Sequence, residues 1–202
     1  EGETGEMFCP HCGARLEGAE RFCQNCGAPL EKSVPEKLTE SFDAFTDAAA
    51  EQARGAYQDV KNGLEGVPVT GPLRTDRSLL IYVLLSIITC GIYGLYFIYA
   101  MARDINIACE GDGQKTRGLL GYFLLSIITC GIYPLFWEYS IGNRMAEGAR
   151  RYGMEFQENG TTVLMWQIFG VALCGIGPFM AMNILIKNAN RICAAYNQTA
   201  GL

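Results

Sequence analysis

Apolar and polar positions divide this chain in two. Residues 1–78 are mostly polar, whereas residues 79–186 hold three long stretches without a charged side chain, at 79–102, 119–137 and 161–186. Apolar stretches of about 18 or more residues read as membrane-inserted. Three of them exceed what a soluble domain of this size buries as helical core. Between the two regions, apolar residues recur at steps of three and four: Leu38, Phe42, Phe45, Ala49, Ala53, Ala56, Val60 and Leu64. With charge on the opposite face, this spacing predicts a connecting amphipathic helix over 36–65. Its stripe is mostly alanine after Phe45. It therefore suits the protein's own helices or another copy better than an anionic membrane surface. Residues 29–35 read as a linker before this helix, and Gly-Val-Pro-Val-Thr-Gly-Pro at 66–72 ends it.

The apolar region repeats itself. Leu-Leu-Ser-Ile-Ile-Thr-Cys-Gly-Ile-Tyr occurs at 84–93 and again, unchanged, at 124–133, and residues 79–96 and 119–136 agree at 14 of 18 positions. A weaker third copy lies at 171–179. Each unit has an apolar limb, then Cys-Gly-Ile, then a second limb whose far end turns polar. The centre reads as a helix break. Thr89 and Thr129 can bond their own backbone, Gly91, Gly131 and Gly175 suit a left-handed cap, and Pro134 and Pro178 fall where a first helical turn tolerates proline. The alternative is one continuous helix kinked at glycine. The expected units run about 77–112, 117–153 and 161–197 within a membrane domain at 73–197.

Charge placement bears on topology. Three ordinary spans would alternate the loops across the bilayer, and the positive-inside rule would then demand a Lys/Arg contrast between them. Instead, basic residues precede the first stretch (Lys61, Arg74, Arg77), follow it (Arg103, Lys115, Arg117), follow the second (Arg144, Arg150, Arg151) and recur in the tail (Lys187, Arg191). Uniform charge predicts that every loop and the C-terminus face the cytosol, so each stretch enters and returns as a hairpin. Limbs of about 10–14 residues reach about 15–21 Å, short of the hydrocarbon core of about 30 Å.

Nine cysteines carry the clearest chemistry. Cys9 and Cys12 form one C-x-x-C pair, and Cys23 and Cys26 form another ten residues on, each followed by glycine. Two such knuckles aim four thiolates at one point, the signature of one closed, tetrahedral, structural zinc per chain. The predicted zinc ribbon covers residues 7–28. His11 lies inside a knuckle as a bystander. Paired disulfides are the competing reading, but they need an oxidising compartment. No apolar core region within residues 1–30 suggests a signal peptide, so zinc places this end in the cytosol. "Glu-Gly-Glu-Thr-Gly-Glu" before Met7 reads as an addition to the native start. The remaining cysteines, Cys90, Cys109, Cys130, Cys174 and Cys193, read as small buried packing residues.

A zinc ribbon followed by this Thr-Cys-Gly-Ile-Tyr repeat resembles the bacterial membrane family catalogued as domain of unknown function 4234, over roughly residues 77–195. The third unit departs from its pattern, with Leu173 for the threonine and Gly177 for the tyrosine. The resemblance implies a helical fold and a bacterial inner-membrane location, but no reaction.

Residues 1–70 carry 13 acidic and 6 basic side chains, a net of −7, which argues against a nucleic-acid partner. There is no second histidine, phosphate-cradling loop or nucleophile motif, so no enzyme is expected. Gly-Asp-Gly-Gln-Lys at 111–115 reads as a turn between units. The expectation is a mainly α protein: a zinc ribbon, a connecting helix and three membrane hairpins. It acts as a self-associating scaffold in the bilayer, contacting a cytosolic protein through the ribbon. An oligomeric channel or transporter, lined by Ser86, Ser126, Thr89 and Thr129, is the alternative.

Overall fold

The computed structural model describes residues 7–9, 11–16, 22–28, 34–64, 71–170 and 173–202. Residues 1–6, most of the expected linker, the 66–70 terminator and the start of the third apolar copy lie outside them. Two compact units divide between Glu51 and Gln52.

The N-terminal unit begins with two short antiparallel strands, β1 (Met7–Phe8) and β2 (Arg15–Leu16). Helix α1 (Val34–Leu64) follows and runs through the unit boundary. The expected apolar stripe of α1 does not behave as such: Leu38, Phe42, Ala53 and Val60 are exposed, and among the stripe residues whose side chains are described only Ala56 is buried. Within the second unit, polar side chains of α1 make the contacts instead. Gln52 donates to Asp76 O and accepts from Tyr93 Oη, while Asp59 accepts from Tyr96 Oη at 2.6 Å and pairs with Arg103 at 3.0 Å. Small alanines offer little area, so hydrogen bonds set the face.

In the second unit each uncharged stretch breaks into a short helix, a bend and a longer helix. The pairs are α2 (Leu79–Ile88) with α3 (Ile92–Ala108), α4 (Leu119–Ile128) with α5 (Tyr133–Ala149), and α6 (Gly160–Phe169) with α7 (Gly177–Ala200). A 3-10 turn, Arg150–Tyr152, extends α5. Among the described residues no helix is long and apolar enough to cross a membrane.

The three pairs form a ring around a three-helix core. The long helices α3, α5 and α7 all touch one another, and each short helix lies between its own long partner and that of the preceding repeat: α4 against α3, α6 against α5, α2 against α7. Equivalent positions of the repeats supply the core. Met101, Ile141 and Leu185, then Ile105, Met145 and Ala189, then Cys109, Ala149 and Cys193 are all 0–1% exposed. The four-residue step keeps them on one helix face.

The next face holds a buried polar layer with a different member in each repeat. Asp104 receives the Arg77 guanidinium, Arg144 clasps Asp112, Thr116 and the Gln114 carbonyl, and Asn188 donates to Glu158 O. Each residue thus ties a hairpin's entry segment to its own long helix. Asparagine clasps link the repeats: Asn106 exchanges two hydrogen bonds with Thr116, Asn190 two with Arg77, and Asn197 two with Leu73. The last two close the ring between first and third repeats. The 111–115 segment is the turn that Arg144 holds.

Candidate zinc centre and hairpin bends

Each zinc knuckle is built the same way. Cys9 N–H donates to Ala14 O and Gly13 N–H to Cys9 O; Cys23 N–H donates to Ala28 O and Gly27 N–H to Cys23 O. Gly13 and Gly27 have φ of 71° and 70°, a left-handed conformation that glycine adopts freely. The four sulfurs of Cys9, Cys12, Cys23 and Cys26 lie within 4.8 Å of one another and are not disulfide-bonded. Cys9 and Cys26 sulfurs are 3.7 Å apart, and those of Cys12 and Cys23 are 3.6 Å apart. A tetrahedron with zinc–sulfur bonds of about 2.3 Å has edges of about 3.8 Å, so the donor set fits zinc. The Ala14 N–H, then the Asn25 amide, pull the Cys12 thiol down to about 6. The Ala28 N–H acts the same way at Cys26 and is the largest single influence there, but the Cys12 sulfur, burial and the Cys23 and Cys9 sulfurs together outweigh it and push that thiol up to about 12. Four thiolates leave no open position on the metal, so the site is structural. His11 is exposed.

The bends are the second site. Thr89 Oγ1 donates to Leu85 O at 2.6 Å and accepts from Tyr93 N–H at 2.9 Å; Thr129 does the same with Leu125 and Tyr133. Each threonine closes one helix and opens the next. Gly91 N–H donates to Ser86 O and Cys90 N–H to Ile87 O, with Gly131 and Cys130 repeating the pattern. This is a Schellman cap, but with one displacement from expectation. Its left-handed C′ residue is cysteine: Cys90 and Cys130 have φ of 50° and Cys174 has 53°. The glycines, at φ of 90°, 86° and 76° for Gly91, Gly131 and Gly175, follow it. Pro134 and Pro178 sit in the first turns of α5 and α7.

The expectation that all five of these cysteines are buried holds for Cys109 and Cys193 and fails for Cys90, Cys130 and Cys174, which are exposed. The first two sit in the core layer where small residues are required. The other three project from bends that no described residue covers.

All three bends lie at the same end. Gln167 meets Glu138 and Gly142 faces Gly160, which sets α5 and α6 antiparallel with their bend-side ends together. Gly148 lies against Cys109 and Ile192, which brings the far ends of α3, α5 and α7 together. Around the bends the surface is apolar: Ile87, Ile88, Ile92, Ile127, Ile128, Ile132, Ile168, Phe169, Leu173 and Ile176 are each more than half exposed.

The sequence gives no sign that Glu138 is buried, because the second uncharged stretch ends one residue before it. Folding carries it into the apolar half of the bundle, 7% exposed, where it accepts from the Gln167 amide.

The family model described as Domain of unknown function (DUF4234) matches twice, over residues 77–147 and 117–194, more than half of the chain in all. The chain belongs to this family. Each match spans two hairpins, so the DUF4234 unit is a pair of repeats and the central hairpin serves in both. A zinc-ribbon domain matches residues 8–30, over the four-sulfur site. No curated protein and no solved structure matches the chain.

Proposed function

We propose that this DUF4234 protein is a non-enzymatic scaffold of the bacterial inner membrane. Its three hairpins dip into one leaflet from the cytosolic side, and its zinc ribbon offers a cytosolic partner a rigid contact surface. One observation carries the reading. The bends expose large apolar side chains on every hairpin, yet the N–H groups of residues 89–93 and 129–133 all find acceptors within the chain. Water does not need that arrangement, whereas lipid demands it. A ten-residue helix such as α2 or α4 rises about 15 Å, half of the hydrocarbon thickness of about 30 Å. Transfer of a large apolar side chain from water yields roughly 1.5–3 kcal/mol. Ten such side chains, each more than half exposed, yield on the order of 10 kcal/mol. The basic loop residues gather at the opposite end from the bends, which agrees with all loops lying on one, cytosolic, side.

A wedge in one leaflet expands that leaflet alone. Copies that cluster share the strain, so self-association belongs to the same proposal. Single cysteines at Gly113, Asn159 and Leu202, placed where native cysteines are replaced, test the topology. All three stay unlabelled from outside intact cells. Labelling at Gly113 and Leu202 but not Asn159 would establish ordinary spans.

A second reading, an oligomeric channel or transporter, has Glu138 on its side. Ionisable groups at membrane depth usually mark pathways. Glu138 lies five residues beyond the start of α5, about 7.5 Å from the bend. Proton or ion flux in proteoliposomes that disappears in Glu138→Gln would favour this reading over the scaffold.

A further inference from the structure

The ring of hairpins closes where α2 meets α7, and this seam differs from the other two. A groove of about 800 Å³ runs along it, within the range of small-molecule sites. Its lower walls are apolar: Leu80 and Val83 on α2, and Phe179 on α7. Its mouth carries Asn183, Lys187 and Arg191, which follow Phe179 on one face of α7 at steps of four. Lys187 lies eight residues beyond Phe179, so about 12 Å further from the bends. Measured from the start of α7, it is about 15 Å away, the depth at which one leaflet's hydrocarbon gives way to headgroups.

The charges at the mouth are available. Arg77, also at the groove, is neutralised by buried Asp104. Lys187 pairs with Glu158 at 3.1 Å, but both side chains are exposed, so the pair exchanges readily. Arg191 lies over the Phe156 ring at 4.9 Å and has no carboxylate partner among the described ion pairs. The ring aims the guanidinium without cancelling its charge. The other seams lack this pair. At the positions of Lys187 and Arg191, the first repeat has Arg103, tied to Asp59 and Asp104, and Ile107; the second has Asn143, which accepts from Gly160 N–H, and Glu147.

We propose that the α2–α7 groove binds one anionic glycerophospholipid, its phosphate on Lys187 and Arg191 and an acyl chain along Leu80, Val83 and Phe179. The proposal rests on the membrane reading above. A phosphate accepts charge-assisted hydrogen bonds from both cations, while the apolar wall excludes a small soluble anion as the preferred occupant.

The test uses the full chain with phosphatidylcholine vesicles, with and without phosphatidylglycerol, and native mass spectrometry of the detergent-extracted protein. The wild type floats with both vesicles and retains one phosphatidylglycerol. K187Q/R191Q still floats with phosphatidylcholine but retains the anionic lipid at least tenfold less. V83W, which fills the groove without touching charge, also loses it. K115Q/R117Q, which removes the same charge at the entry to α4, retains it. Equal retention by K187Q/R191Q, or equal loss from K115Q/R117Q, overturns the groove assignment and leaves the membrane reading standing. Failure of the wild type to float with either vesicle overturns both. Melting temperatures near the wild-type value establish that the variants are folded.

Discussion

Replacing Gly142 by Ala adds a methyl group to α5 where it packs against the start of α6. That carbon meets Gly160 Cα at 2.8 Å and Gly160 N at 2.9 Å, both of them backbone atoms that cannot rotate away. Carbon contacts are optimal at about 3.5–4.0 Å, so the two helices must part by roughly half an ångström or more. Two effects compete. Alanine is better than glycine inside a helix by about 1 kcal/mol. Overpacking costs about 1–3 kcal/mol, and parting the helices also loosens Ile141 and Val163, both fully buried. Overpacking wins, and we expect a net loss of about 1–2 kcal/mol, seen as a melting temperature lower by about 2–8 °C for a domain of this size. Gly121 on α4 is the matched control. The nearest atoms to a methyl group there belong to the flexible Arg117 side chain, at 3.4 Å and beyond, and the equivalent position in the first repeat already holds Ile81. Gly121→Ala keeps the helix-propensity gain alone and raises the melting temperature by about 2–4 °C. Helical circular dichroism of the detergent-solubilised proteins reads both. If the two variants shift in the same direction, the close α5–α6 contact does not exist.

Three further outcomes follow from the sites. Metal analysis should find one zinc per chain; chelation, or Cys9→Ser, should unfold the ribbon while the helical signal of residues 52–202 persists, and two disulfides by mass spectrometry would refute the site. Gly91→Leu and Gly131→Leu should each cost about 1 kcal/mol or more through the left-handed backbone alone, whereas Cys90→Gly and Cys130→Gly should gain about as much; thermal melts that rank them otherwise would refute the cap assignment. The Arg144 guanidinium holds the Asp112 carboxyl below its ordinary value of 3.8. A depressed carboxyl stabilises the fold above its unfolded value and loses that contribution as pH falls through the folded one. The wild-type melting temperature should therefore decline more steeply below pH 3.8 than that of Asp112→Asn, and parallel curves would show that the Arg144 clasp carries no stability.

The zinc site was legible because all four ligands lie within one short segment and their spacing encodes the tetrahedron. The bends were legible because an identical decapeptide must solve the same local problem twice. What the sequence does not show depends on register between distant segments. Asn190 and Asn197 close the ring onto Arg77 and Leu73, more than a hundred residues away, and nothing local marks them. Gln52 and Asp59 dock α1 although an apolar stripe looked like the contact face, because the alanines there offered less than two hydrogen-bonding side chains. Cys90 and Cys130 occupy the left-handed slot where glycine is the ordinary choice, and residue preference alone pointed one position too far. Glu138 carries no local mark of its burial, because an uncharged run shows its own residues and not what its neighbours in space bring to it.

The central claim is that the bends sit inside a leaflet. Cys130 is a native reporter, exposed at the second bend. With the zinc site loaded and Cys90, Cys109, Cys174 and Cys193 replaced, a nitroxide on Cys130 can be read in vesicles by its collisions with oxygen and with a water-soluble nickel chelate. The account predicts ready collision with oxygen, exclusion of nickel, and a reversal of that order when the label is moved to Arg117 at the entry to α4. Free access of nickel to Cys130 in vesicle-bound protein would contradict it.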